Sequence, residues 1–159
     1  MISLEQEVGK LLRQRKLTLG VVESATGGFL SHLITNVPDS SDYYKGSLVA
    51  YSNHFKISLV GVKEGTISRH GAVSSQIVKE LAREGKRILD TDICLANTGI
   101  AGPGGATSGK PVGLFYIGLS HKDGTYSRKQ YFRENRKQNK RLAAEAILLW
   151  LKEYLLSLR

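Results

Sequence analysis

The stretch "LTLGVVESATGGFLSHLI", residues 17–34, decides the fold. Its first part, Leu17–Glu23, is short, apolar and β-branched, the signature of a buried strand. Ser24-Ala25-Thr26-Gly27-Gly28 then supplies turn formers. From Phe29 the apolar residues Leu30, Leu33 and Ile34 return at helical spacing and stop before Val37-Pro38. Strand, tight turn and helix is the opening unit of an open α/β sheet, whose functional groups gather where strands end and loops lead into helices.

The flanking sequence repeats that unit. Ser3 with Gln6 forms a capping-box pattern ahead of a helix carrying Leu4, Val8, Leu11 and Leu12 on one face. Residues 46–52, "GSLVAYS", read as a second strand, followed by a helix capped by Asn53 and ending near Gly61. Ser74 caps another helix, with Gly85 as its weak point. A third strand at 92–98 runs into the glycine loop "GIAGPGGATSGKPVG". A hairpin across "HKDG" and a final helix over about 137–157 complete the chain. Helices interleaved with strands and a terminal hairpin predict a three-layer α/β/α sandwich on a mixed sheet of about five or six strands, in a single domain spanning 1–159.

Composition narrows the function. The chain is long enough to bury about two thirds of its unfolded surface, and its single cysteine, Cys94, excludes an internal disulfide. The apolar setting of Cys94 predicts an inert, reduced thiol. The N-terminal segment carries charges every few residues, unlike a signal peptide or a membrane span, and the cytoplasm is the expected compartment. There are 23 Lys and Arg against 14 Asp and Glu, a net charge of +9 that favours anionic partners. Residues 122–141 hold eight basic and two acidic side chains. That segment reads either as a solvated, charge-protected edge strand with a basic helix start, or as a nucleic-acid surface. The absence of a recognition-helix motif speaks against specific nucleic-acid binding.

Three strand exits carry polar groups that can do chemistry. The first holds Ser24 at a strand-to-helix turn, the geometry that lifts a nucleophilic hydroxyl clear of a sheet, with the amides of Ala25 to Gly28 placed to stabilise an oxyanion. Ser24 and Thr26 also serve as ordinary caps, and the glycines as turn formers. The second holds Tyr51, Ser52 and Asn53, with Lys56 five residues after the tyrosine. A lysine acts as a base once burial lowers its pKa, and a tyrosine hydroxyl can relay the proton. The third holds Thr98, Gly99 and the glycine loop, which forms either an anion nest or a plain surface connection. None of the four histidines is placed by pattern to serve Ser24, and no metal-ligand spacing links them. "GGATSGKP" imitates a phosphate-binding P-loop, but Pro111 replaces the Ser or Thr, and a strand pattern follows where that motif needs a helix.

Taken together, "ESATGG", "VAYSNHFK", "HGAVS" and "TGIAGPGG…KPVG" resemble, in order and approximate spacing, the nicotinamide mononucleotide amidohydrolase family, stand-alone relatives of the C-terminal domain of the competence-and-damage-inducible protein CinA. The likeness runs from about residue 5 to 155. It implies hydrolysis of the nicotinamide carboxamide to nicotinic acid mononucleotide and ammonia, with Ser24 as nucleophile, Lys56 as base and Tyr51 as proton relay or orienter. It further implies substrate contacts from Glu23, Thr26, Gly27, Gly28, Asn53, Thr98, Gly99, Gly102, Gly104 and Gly105, with Arg136 as phosphate ligand. No metal or cofactor is implied. The expected partner is a small pyridine nucleotide, with no membrane and no specific nucleic acid, in a homo-oligomer. Two positions depart from the family's usual pattern: Ala25 stands for a cysteine, and Glu134-Asn135 for Gly-Asp ahead of Arg136. The competing reading is a non-catalytic nucleotide- or nucleic-acid-binding module.

Overall fold

The structure, a computed structural model, describes residues 1–159. Helix α1 (Leu4–Arg15) starts at the predicted capping box, Ser3 Oγ accepting from the Gln6 N–H while Gln6 Oε1 accepts from the Ser3 N–H. Strand β1 (Leu19–Glu23) is buried throughout and leads through the Ser24–Gly28 turn into α2 (Phe29–Thr35). Strand β2 (Tyr44–Val49), the short helix α3 (Asn53–Phe55) and a π-helical turn (Lys56–Val60) follow. Helices α4 (Glu64–His70) and α5 (Ser75–Leu89) precede strands β3 (Ile93–Gly99), β4 (Leu114–His121) and β5 (Gly124–Tyr131), and α6 (Arg136–Ser157) closes the chain.

The five strands form one mixed sheet in the order β2-β1-β3-β4-β5. β1 lies parallel to both β2 and β3, and the β3-β4-β5 part is antiparallel. Strand alternation divides the core in two. Leu19, Val21, Ile93, Leu95, Ile117 and Leu119 pack against α1, α2 and α6. Val22, Cys94 and Ala96 pack against α5 and the π turn. The three-layer sandwich follows directly from this two-sided burial.

Local boundaries differ from the sequence reading in three places. The helix expected to be capped by Asn53 is capped one residue earlier, by Ser52, whose Oγ accepts from the Phe55 N–H at 3.1 Å. β2 begins and ends earlier than residues 46–52, because an edge strand with no fully buried residue offers little apolar pattern to mark its limits. α4 has no counterpart in the sequence pattern: it buries no residue, and a helix without an apolar stripe leaves no periodic trace in the sequence.

Sheet order places the site. With β1 lying between β2 and β3, the connections leaving the carboxyl ends of β1 and β2 go to opposite faces, a topological switch point of the kind where α/β folds bind ligands. In register, Val22 faces Ala96 and Glu23 faces Val49, so the exits of all three strands converge on that edge.

Candidate active site

Ser24 is the first residue beyond β1 and is buried. The turn that carries it is fastened from below by Glu23. One Glu23 carboxylate oxygen accepts from Thr26 Oγ1 (2.5 Å), the Gly28 N–H (3.2 Å) and the Leu30 N–H (2.9 Å). The other accepts from the Ser31 N–H and hydroxyl (3.0 and 2.6 Å). Glu23 therefore caps α2 and satisfies its orphan amides, in place of the usual N-cap side chain, since the N-cap position is Gly28 with φ 108°. Positive φ at Gly27 (59°) and Gly28 makes the turn tight enough for this.

Lys56 stands across from the turn, at the junction of α3 and the π-helical turn. Single π turns occur often at functional sites because they re-aim one side chain out of helical register. Here the lysine is only 2 % exposed. Its Nζ donates to the Tyr51 carbonyl at 2.9 Å, and no acidic side chain is paired with it. Burial penalises the ammonium form and pulls its pKa down from 10.5 to about 8.

Ser24 and Lys56 line one cavity of about 300 Å³ together with Tyr51, Asn53, Thr98 and the glycine loop. The Thr98 hydroxyl donates to the Ala72 carbonyl at 2.8 Å and ties β3 to the "HGAVS" segment, whose Ala72 and Val73 also line the cavity. Arg136, in the first turn of α6, bridges the mouth, donating to the Gly102 carbonyl (2.9 Å) and to the Tyr51 hydroxyl (3.2 Å). Behind it, buried Asn139 donates to the carbonyls of Ala101 and Glu134 and accepts from the Glu134 N–H, locking the loop to the start of α6. Asn135 caps that helix by accepting from the Gln138 N–H at 2.9 Å, as an aspartate would.

The comparisons agree with this architecture. Residues 1–155 match the CinA C-terminal domain family. The chain belongs to that family. It is 45% identical over 156 residues to a protein named "Putative competence-damage inducible protein" of Halothermothrix orenii, covering 96% of this chain and 37% of that one. It is 46% identical over 156 residues to a CinA-like protein of Desulfosudis oleivorans, covering 98% and 38%. The chain thus spans less than two fifths of the length of these relatives. Among solved structures, the competence damage-inducible protein A of Klebsiella pneumoniae superposes with a TM-score of 0.95 at 28% identity, covering 98% of this chain and 97% of that one. The competence or damage-inducible protein of Enterobacter asburiae gives 0.93 at 30% identity, covering 96% of each chain.

Within this CinA-family fold, the residues singled out from sequence separate into two groups. Ser24, Tyr51, Asn53, Lys56, Thr98, Gly99, Gly102, Gly104, Gly105 and Arg136 line the cavity together. Glu23, Thr26, Gly27 and Gly28 are not among its lining residues, and the hydrogen bonds they make run within the turn and to Asn97. Tyr51, expected as a proton relay or an orienter, makes contacts that fit the second. Its hydroxyl is held by Arg136 and is bonded to neither Ser24 nor Lys56, while its carbonyl holds the lysine, so its geometry is that of an orienter and not of a relay. The expected oxyanion donors narrow likewise. The Thr26, Gly27 and Gly28 amides are spent on Asn97, Ser24 and Glu23, leaving the Ala25 N–H without a protein partner. No helix is long and apolar enough to cross a membrane, and no cluster of three His, Cys, Asp or Glu that could hold a metal ion occurs.

Sequence reasoning missed Asn97 and Asn139. Both are fully buried asparagines, Asn97 inside an apolar strand and Asn139 inside a basic helix turn. A buried amide signals a structural task, but burial is invisible in the sequence.

Proposed function

We propose that the protein is an amidohydrolase that converts nicotinamide mononucleotide to nicotinic acid mononucleotide and ammonia. The observation that carries this reading is the buried Lys56 amine, with its pKa near 8, lining the same small cavity as the Ser24 hydroxyl. A neutral lysine has one lone pair, and donation of an N–H to the Tyr51 carbonyl leaves that pair free to accept the serine proton.

In the reaction, Ser24 Oγ bonds to the carboxamide carbon while its proton passes to Lys56. Lys56 returns that proton to the departing nitrogen, ammonia leaves, and the acyl group remains as an ester on Ser24. Water, deprotonated by Lys56, then breaks the ester and restores the hydroxyl. The Ala25 N–H faces no competing acceptor and serves the oxyanion. Arg136 spends two of its five N–H donors on Gly102 and Tyr51, which fixes the guanidinium and leaves the rest for the nucleotide phosphate.

The test is ammonia release from nicotinamide mononucleotide, with the pyridine product identified by mass spectrometry. Ser24→Ala and Lys56→Ala are each expected to lower kcat by at least about 10³-fold, as removal of a nucleophile or its base does. Absence of ammonia release from the native protein, or retention of activity in Ser24→Ala, overturns the reading.

A further inference from the structure

The Ser24 turn is held by a second side chain that never reaches the cavity. Asn97 on β3 is completely buried, and its Oδ1 accepts from the N–H groups of Ser24 (3.4 Å) and Thr26 (3.3 Å). Two amide donors require the oxygen at that end of the carboxamide, so the nitrogen must face Thr26 Oγ1, to which it donates at 2.7 Å. With that lone pair occupied, the Thr26 hydroxyl has its own proton to give, and it donates to Glu23 Oε1 at 2.5 Å. The polarity of the chain Asn97 to Thr26 to Glu23 is thereby fixed. Its effect is selective within the turn, because the network occupies the Thr26 and Gly28 amides, Gly27 is used within the turn, and of the Ala25–Gly28 amides only the Ala25 N–H, on a residue that lines the cavity, is left without a partner.

We infer that Asn97 and Thr26 are positioning residues for the Ser24 turn, holding the serine in its attacking geometry and reserving the Ala25 amide for the charge that develops on the attacked carbonyl. This rests on the amidohydrolase reading and deepens it. Strand alternation gives the division of labour. Asn97 falls on the α2 side of β3 with Ile93 and Leu95, while Thr98 faces the other side and bonds Ala72, so one strand serves the nucleophile turn with one residue and the cavity wall with the next. A buried polar chain of this kind, with every side-chain oxygen and nitrogen bonded, behaves as a unit.

The experiment compares Thr26→Val, Thr26→Ser, Asn97→Leu and the double variant Thr26→Val/Asn97→Leu with the native protein. Thr26→Val keeps the shape and loses the hydroxyl. Ammonia release is expected to show kcat lowered about 30-fold or more in Thr26→Val and Asn97→Leu with KM within about threefold, the pattern of lost transition-state stabilisation. Thr26→Ser is expected to restore kcat to within about fivefold of native, and the double variant to fall little below the worse single one. Covalent labelling of Ser24 by an alkyl fluorophosphonate, which needs no nucleotide, is expected to slow in the same order. Unchanged kcat and labelling in a folded Thr26→Val overturn the inference, as does a loss that Thr26→Ser fails to restore. If the native protein releases no ammonia but Ser24 is labelled and labelling slows in Thr26→Val, the substrate assignment fails and the positioning role stands. If native Ser24 is not labelled, the positioning role falls. Should Asn97→Leu not fold, the Thr26 pair decides alone.

Discussion

Lys56 concentrates the conflict between stability and chemistry at one residue. Below pH 8 the folded protein must bury an ammonium ion, and the unfolded chain holds the same charge in water. That cost is fully present in this range. Between about pH 8 and 10.5 the folded state gives up its proton while the unfolded chain keeps it, so the unfolded state binds more protons and stability rises with pH. Lys56→Met, which fills the same space without charge, is therefore expected to be inactive yet more stable at pH 7 by about 1–3 kcal/mol. The gain should shrink as pH climbs past 8, measured by denaturant unfolding at several pH values. Activity should follow the opposite logic. kcat/KM is expected to rise with pH through about 8 as the lysine becomes neutral. A profile flat from pH 6 to 10 would remove Lys56 as the base.

At the scale of elements, α5 shows how close packing shapes the floor under the site. Gly85 reads in sequence as a weak point of the helix, and in isolation its replacement by alanine would favour the helix by about 1 kcal/mol. In the fold a Cβ there would run into Val22 of β1 and lie 2.8 Å from Cys94 Sγ of β3. The missing side chain is what lets α5 rest on the two strands that carry Ser24 and Thr98. Gly85→Ala is expected to lower stability by about 1–3 kcal/mol despite its better propensity, because overpacking a rigid helix–sheet contact outweighs the local gain. A thermal melt checks this, and an unchanged or higher Tm would show that the contact yields. The basic edge is also managed at this scale. Arg128 on β5 pairs with Glu153 at 3.0 Å and lies 4.4 Å over the Trp150 ring, so it packs α6 onto the sheet as well as charging the edge.

At the scale of the whole molecule, Cys94 reports on integrity. It sits between β1, β3 and α5 with no exposed surface, and burial pushes its thiol pKa up to about 12. It should resist an aromatic disulfide reagent at pH 8 in the native protein and react quantitatively once urea crosses the global unfolding midpoint. Reaction well before that midpoint would mean that the α5 layer opens by itself. The two cores on either side of the sheet meet only through the strands, so the site, which takes groups from both sides, depends on the sheet staying intact.

The sequence by itself determined the opening strand, turn and helix, the capping box of α1, the hairpin and the mixed sheet, because each is encoded by neighbours in the chain: apolar runs, turn residues, caps. It also determined which three exits carry reactive groups. Only the tertiary structure decided what those groups do. Glu23 and Thr26, expected from the family resemblance to contact substrate, bond to each other and to the turn in the fold. The Tyr51 hydroxyl is claimed by Arg136, 85 residues away in sequence. Asn97, hidden in an apolar strand, reaches a turn more than 70 positions earlier. Burial and hydrogen-bond partnership are properties of surfaces brought together, and no local pattern carries them. The lowered pKa of Lys56 arises in the same way, from water excluded by residues that are distant along the chain.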